Sequence, residues 1–195
     1  MLEKTELLDA IAPTNRGLLA APDQKTDILS KVARLEERNP TPSPLSATDL
    51  LNGNWQLLYT TSAELLGIDR FPLLGLGNIY QCVRLEQQRI YNLAEIQSVI
   101  GGLVSVTAKF EIVSEKRVDV RFDRAIFGLQ STLGYRNPSQ FIEAMQQTEK
   151  FNLLKGIDFT VDSNREPGWL EVTYLDQAMR IGRGNQGSVF VLRKA

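Results

Sequence analysis

The chain has 195 residues, with 22 Lys and Arg against 23 Asp and Glu, one Cys and no His. A formal charge of −1 argues against a nucleic-acid partner, which needs a basic surface to neutralise phosphates. The absence of His excludes Ser-His and Cys-His nucleophilic machinery and metal sites built on imidazole, and the lone Cys82 cannot close an internal disulfide.

Residues 1–48 read as helical. Leu7, Leu8 and Ile11 place apolar side chains one turn apart on a short first helix, and Asn15-Arg16-Gly17 supplies a turn. Pro22 suits a first helical position, with Asp23 in the first turn. Ile28, Val32 and Leu35 repeat at helical spacing until Asn39-Pro40, and Thr41-Pro42-Ser43-Pro44 makes a stiff linker. No window approaches the ~20 apolar residues of a spanning helix. The acidic start, Met1-Leu2-Glu3-Lys4-Thr5-Glu6, resembles neither a secretory signal nor a transit peptide.

From Trp55 the period changes to two. Trp55, Leu57 and Tyr59 alternate with Gln56, Leu58 and Thr60, and Gln81, Val83 and Leu85 with Cys82, Arg84 and Glu86. Val104, Val106, Ala108, Phe110 and Ile112 alternate with Ser105, Thr107, Lys109 and Glu111, then Val118, Val120 and Phe122 with Arg117, Asp119, Arg121 and Asp123. Such segments are strands with one apolar and one wet face. Gly101-Gly102 reads as a hairpin turn, and further strands are expected around 88–98, 156–162, 168–175, 178–183 and 187–193. One helix interrupts them, capped by Asn137, opened by Pro138 and carrying Phe141, Ile142 and Met145. Eight or nine strands with short connections and no βαβ rhythm predict a mainly β fold, an antiparallel up-and-down barrel (residues 49–195) behind the N-terminal helical segment (1–48). Eight strands leave room for side chains or for one small ligand.

Few residues suggest chemistry. Arg117, Asp119, Arg121 and Asp123 read as a salt-bridged solvent face. Gly75-x-Gly77 and Gly182-x-Gly184 lack the strand–turn–helix setting of a nucleotide site, and Thr60, Thr61 and Ser62 have no base to activate them. Cys82 reads as a packed, inert thiol, and Glu95, Glu171 and Asp176 are indistinguishable from surface acids. No catalytic, metal or cofactor site is expected.

Two features stand out. In a closed barrel the first and last strands are neighbours, so Arg180 or Arg183 can lie across Trp55 and close one end through a cation–π contact; the alternative is a core Trp55 with both arginines solvated. The apolar stretch from Leu65 to Leu76, with Leu66, Phe71, Leu73 and Leu74, either folds over the barrel or meets lipid. Phe127-Gly128-Leu129 and Leu133-Gly134-Tyr135 repeat the theme.

Asn15-Arg16-Gly17-Leu18, Leu35-Glu36 through Asn39-Pro40-Thr41-Pro42, Leu51 through Ser62, Ile79-Tyr80-Gln81, and Tyr174-Leu175-Asp176 through Arg180-Ile181-x-Arg183-Gly184-Asn185 to Phe190-Val191-Leu192 resemble, in order, the plastid lipid-associated protein (PAP/fibrillin) family. Gly53 and Trp55 match the family's opening motif, and Asp176, Arg180, Arg183 and Gly184 its closing one. The resemblance implies a lipocalin-like barrel behind helices, associated with thylakoids or lipid globules (plastoglobules), that binds or stabilises carotenoids, quinones such as plastoquinone, or other lipids. Because the chain begins at its first helix, the resemblance points to a cyanobacterial member over an unprocessed plant one, with a mature or trimmed plant chain as the alternative. A cyanobacterial member is expected to be soluble to peripheral at the membrane and thylakoid-associated or cytoplasmic, with plant relatives in plastids.

The expected function is therefore non-enzymatic binding of a hydrophobic small molecule at a membrane or lipid-globule surface. Leu57, Tyr59, Val83, Leu85, Val106, Phe110, Val120 and Phe122 are the expected lining, although a one-residue slip inverts the faces of any strand. The alternative is a structural coat or adaptor with a filled barrel, in which the Leu65–Leu76 loop and the basic end, Arg193 and Lys194, meet lipid or a protein partner.

Overall fold

The computed structural model describes residues 2–62, 75–161 and 166–195. Helix α1 (Leu2–Ile11) buries Leu7 and Ile11, and α2 (Pro22–Glu37) buries Ile28, Val32 and Leu35 as one stripe. Pro22 opens α2, and the Ala21 N–H at its start donates to Gln24 Oε1 at 2.9 Å. Between the helices, Gly17 adopts φ +103°, and a Cβ there would lie 2.4 Å from the Thr60 carbonyl oxygen, so glycine is required on two counts. Past α2, Asn39 Oδ1 accepts the backbone N–H groups of Thr41 and Leu175 at 3.1 and 3.0 Å, which pins the proline-rich linker to the barrel.

Among the described residues nine antiparallel strands follow: β1 (Gly53–Thr60), β2 (Gly75–Arg84), β3 (Arg89–Gln97), β4 (Gly102–Ile112), β5 (Arg117–Leu129), β6 (Ile157–Thr160), β7 (Gly168–Leu175), β8 (Met179–Gly184) and β9 (Val189–Lys194). Strands β1 to β5 pair in succession, β5 pairs with β7, and β7, β8 and β9 lead back to β1, closing an eight-stranded up-and-down barrel. Strand β6 is the ninth. It pairs with Arg124–Phe127 of β5, beyond the Arg117–Val120 stretch that pairs with β7. Phe127-Gly128-Leu129, expected as an apolar loop, is the end of β5. Short helices α3 (Thr48–Leu51) and α4 (Gln130–Leu133) have single turns that no periodicity could reveal, whereas α5 (Pro138–Gln147) starts as expected, with Asn137 Oδ1 accepting the Gln140 N–H at 3.0 Å.

The helices fix which sheet face is outside. Leu7, Ile11, Ile28, Val32 and Leu35 pack on Tyr59, Tyr174, Met179, Ile181, Val189 and Val191, while Phe141, Ile142 and Met145 of α5 pack on Cys82, Tyr91, Leu93, Leu103 and Ile126. A closed eight-stranded barrel has no room for helices within it, so both sets face outward and their strand neighbours point inward. Two further buried clusters form the interior, one around Trp55, Leu57, Val83, Val172 and Leu192, the other around Ile90, Ala108, Phe110, Val118 and Val120.

Asp176, in the turn between β7 and β8, ties α1 to the barrel. Burial alone would raise its pKa, but Lys4 Nζ and the Tyr174 hydroxyl, each at 2.6 Å, and the Ala178 and Met179 N–H groups outweigh that and hold it at about 2. An acid whose pKa is depressed on folding stabilises the native state fully above its unfolded value of about 3.9, and that contribution disappears as pH falls through 2. Thermal unfolding followed from pH 5 to pH 2 should therefore show a steeper fall in Tm for the native sequence than for Asp176→Asn. Parallel curves would contradict this assignment.

Candidate ligand-binding site

One end of the barrel is sealed. Trp55 is fully buried and donates from Nε1 to the Leu51 carbonyl of α3 at 2.9 Å, while Leu45, in the linker, packs against both inner clusters. The Arg180 guanidinium lies 5.1 Å from the Trp55 ring centroid. Alternation places Arg180 inward, level with Leu57, Leu192 and Leu175 across the adjacent strands. Arg183, three residues on, faces outward, and its Nε and Nη2 donate to Glu36 of α2 at 2.9 and 2.7 Å. Of the two arginines weighed for closure, Arg180 meets the tryptophan and Arg183 fastens α2 to the outer wall. Lys194, expected at a lipid-contacting basic end, is instead turned into the sealed end. Its Nζ donates to the carbonyls of Leu50 and Asn52 at 2.7 and 2.6 Å and lies 4.5 Å from the Trp55 ring centroid. Arg193 stays at the surface, bonded to Gln56.

Of the expected lining, Leu57, Val83, Phe110 and Val120 point inward and are buried, Val106 points inward and is half-buried, and Leu85 packs beside the inner clusters just past β2. Phe122 points inward yet is 45% exposed. Tyr59 requires a correction. Leu57 pairs with Leu192 but Tyr59 with Val191, so Leu58 is an extra, bulged residue that shifts the alternation and turns Tyr59 outward beneath α1 and α2. Leu66, Phe71, Leu73 and Leu74 lie outside the described residues.

The opposite end has a different character. Phe127 and Phe159 stack with ring centroids 6.0 Å apart on the inward face of β5 and β6, and are 40% and 43% exposed. Ile157 and Leu129, on the same face, are also exposed. A single row of strand partners runs from this apolar mouth to the sealed end: Phe159, Ala125, Val106, Asn92, Gln81, Trp55. Asn92, Gln81 and Val106 are only partly buried. Arg180 Nη2 donates to Gln81 Oε1 at 2.5 Å, and Gln81 Nε2 donates to Asn92 Oδ1 at 3.2 Å. Sequence reasoning missed Gln81 and Asn92, although Gln81 shares the parity of inward Val83, because polar residues in an alternating strand are ordinarily assigned to solvent.

No Asp or Glu occupies an inward position among the described strand residues. Glu95 and Glu171 face outward, and Glu95 accepts the Tyr135 hydroxyl at 2.7 Å. Cys82 is buried under α5, where desolvation pushes its thiol pKa up to about 12 and leaves it unreactive. An external cleft of about 760 Å³ between α5 and strands β3 to β6 is polar, and its two arginines are ion-paired, Arg89 with Asp123 at 2.9 Å and Arg124 with Asp158 at 2.6 Å. The inward face of the barrel is therefore the candidate site for an apolar ligand.

A closed up-and-down barrel, sealed over a Trp–Arg contact at one end and apolar at the other, defines a lipocalin-like protein. The sequence model of the PAP_fibrillin family matches residues 1–193, and the chain belongs to that family. It is 31% identical over 216 positions to "Probable plastid-lipid-associated protein 2, chloroplastic" of Arabidopsis thaliana, covering 98% of this chain and 70% of the relative. It is 33% identical to "Light-induced protein, chloroplastic" of Solanum tuberosum (99% and 67% covered) and 32% identical to "Chromoplast-specific carotenoid-associated protein, chromoplastic" of Cucumis sativus (98% and 67% covered). No solved structure matches the chain. Among the described residues no helix is long and apolar enough to cross a membrane.

Proposed function

We propose that the protein is a non-enzymatic carrier or stabiliser of hydrophobic small molecules, a carotenoid, a quinone or another lipid, working at a thylakoid or lipid-globule surface. The observation that carries this reading is the apolar mouth, where Phe122, Phe127, Phe159 and Ile157 point into the barrel and remain exposed. Side chains inside a protein that stay wet are a standing hydrophobic cost, and an isoprenoid or acyl chain laid along them gains roughly 0.8 kcal/mol per CH₂ buried. Relatives named as carotenoid-associated and lipid-associated proteins support the same class of ligand. The absence of His from the sequence, and of carboxylates from the inward strand positions described, leaves no group suited to general acid–base work, which supports binding over catalysis.

Purified protein titrated with β-carotene, plastoquinone and long-chain fatty acids should bind at least one saturably. The double substitution Phe127→Asp with Phe159→Asp should weaken that binding at least about tenfold and shift Tm little, because both rings are already substantially exposed. Binding no greater than that of denatured protein would remove the carrier reading.

A coat or adaptor is the second reading, favoured by further apolar side chains at the mouth end: Val99 and Ile100 in the β3–β4 turn, and Leu153 and Leu154 before β6, all exposed. Flotation with anionic liposomes separates the two. A coat predicts co-flotation that drops when Leu153 and Leu154 become Ser, with no saturable ligand.

A further inference from the structure

Arg180 is 2% exposed, yet it has no ion-pair partner among the described residues. Its guanidinium has five N–H donors and makes one hydrogen bond among them, to the neutral amide of Gln81. The Trp55 ring offers its π face but no charge. The described inward strand positions supply a second cation, Lys194, and no anion; Lys194 is satisfied by the backbone carbonyls of Leu50 and Asn52, whereas Arg180 bonds no backbone carbonyl among the described residues. Burial pulls the Arg180 pKa down to about 9, still far enough above neutrality to keep the cation.

A buried charge without a counter-charge is among the most expensive arrangements a protein holds, and functional sites are where it is tolerated. Gln81, the hydrogen-bond partner of Arg180, faces inward and is partly accessible, as are Asn92 and Val106 on the same row of strand partners, which continues through buried Ala125 to Phe159 at the mouth. Polar groups thus cluster at the deep end of that row and apolar ones at its outer end, the polarity of a single-chain amphiphile inserted head first.

We propose that the barrel takes a long-chain lipid with an anionic carboxylate head, the carboxylate pairing with Arg180 beside Gln81 and Asn92 and the chain leaving past Val106, Phe122 and the Phe127–Phe159 stack. This rests on the carrier reading above and adds the head-group chemistry and the direction of insertion. A planar carboxylate matches the guanidinium fork, and two charge-assisted bonds would replace the single bond to a neutral amide.

The test compares cis-parinaric acid with its methyl ester, followed by fluorescence. The native protein should bind the acid at least about tenfold more tightly than the ester, and palmitate but not millimolar acetate should displace it. Arg180→Met should abolish the preference. Gln81→Glu keeps the interior fold-compatible if the first variant fails to fold. By placing a carboxylate beside the guanidinium it should raise Tm, remove binding of the acid and leave the ester unaffected. Equal affinity for acid and ester in the native protein, or displacement by acetate alone, overturns the head-group assignment and leaves the carrier reading standing. Binding of neither probe, together with none of the carotenoid or quinone, is the separate result that sinks the carrier reading itself.

Discussion

Trp55→Ala is expected to lower stability by about 3–5 kcal/mol, the range for removing a fully buried large aromatic side chain. For a chain of this length that corresponds to a fall in Tm of about 6–20 °C. Three contacts disappear together: the Nε1 bond to the Leu51 carbonyl, the Arg180 contact and the Lys194 contact. The two cations would then face a cavity instead of a π surface, so the loss should lie toward the upper part of that range. Trp55→Phe retains a ring and should recover a large part of the difference. Differential scanning calorimetry of the three proteins decides the matter, and a Trp55→Ala loss below about 1 kcal/mol would show that the sealed end does not depend on this residue.

Ile28→Asp is expected to have an effect of similar size by another route. Ile28 has no exposed surface and belongs to the cluster joining α1 and α2 to Tyr59, Ile181 and Val191 on the outer wall. A carboxylate there is buried without a partner, which costs several kcal/mol or forces the helix off the barrel. Limited proteolysis should then cut within residues 1–48 well before the native protein is cut, and an apolar dye should report the uncovered wall. Leu8→Asp, on the partly exposed face of α1, is the control and should shift stability by about 0.5 kcal/mol or less. Equal behaviour of the two variants would mean that α2 does not depend on this contact.

The strands illustrate where reading by alternation succeeds and where it stops. In β4 the apolar and polar positions alternate without interruption from Val104 to Phe110, and the inward face follows directly. In β1 the same reasoning works for Trp55 and Leu57 and fails at Tyr59, because the bulge at Leu58 is set by how β1 meets β9, not by β1's own residues. A similar shift between Val172 and Tyr174 turns Tyr174 outward on β7, which gives α1 and α2 a second aromatic to pack on. Two bulges thus build the outer docking surface, and neither carries a Gly or Pro at the bulged position to announce it.

The interior polar groups escaped for a different reason. Gln81 and Asn92 occupy positions that alternation assigns inward, but a polar side chain in such a strand is read as solvated unless its partner is known. That partner, Arg180, is 99 residues further along the chain. The four Lys194 and Arg193 contacts, with Leu50, Asn52, Trp55 and Gln56, likewise depend on the last strand returning to the first.

The sequence by itself determined the helices ahead of the strands, the antiparallel order, the neighbour relation between Trp55 and the final arginines, and the family, because these follow from local periodicity, turn chemistry and motifs contiguous in the chain. Only the tertiary structure decided that Arg180 and not Arg183 lies over Trp55, that Lys194 points into the sealed end, and that inward-facing Phe127 and Phe159 stay exposed at the other end. Each of those depends on closing the barrel, where strand register sets which side chains meet across the interior, and register is a property of pairs of strands that no single strand encodes.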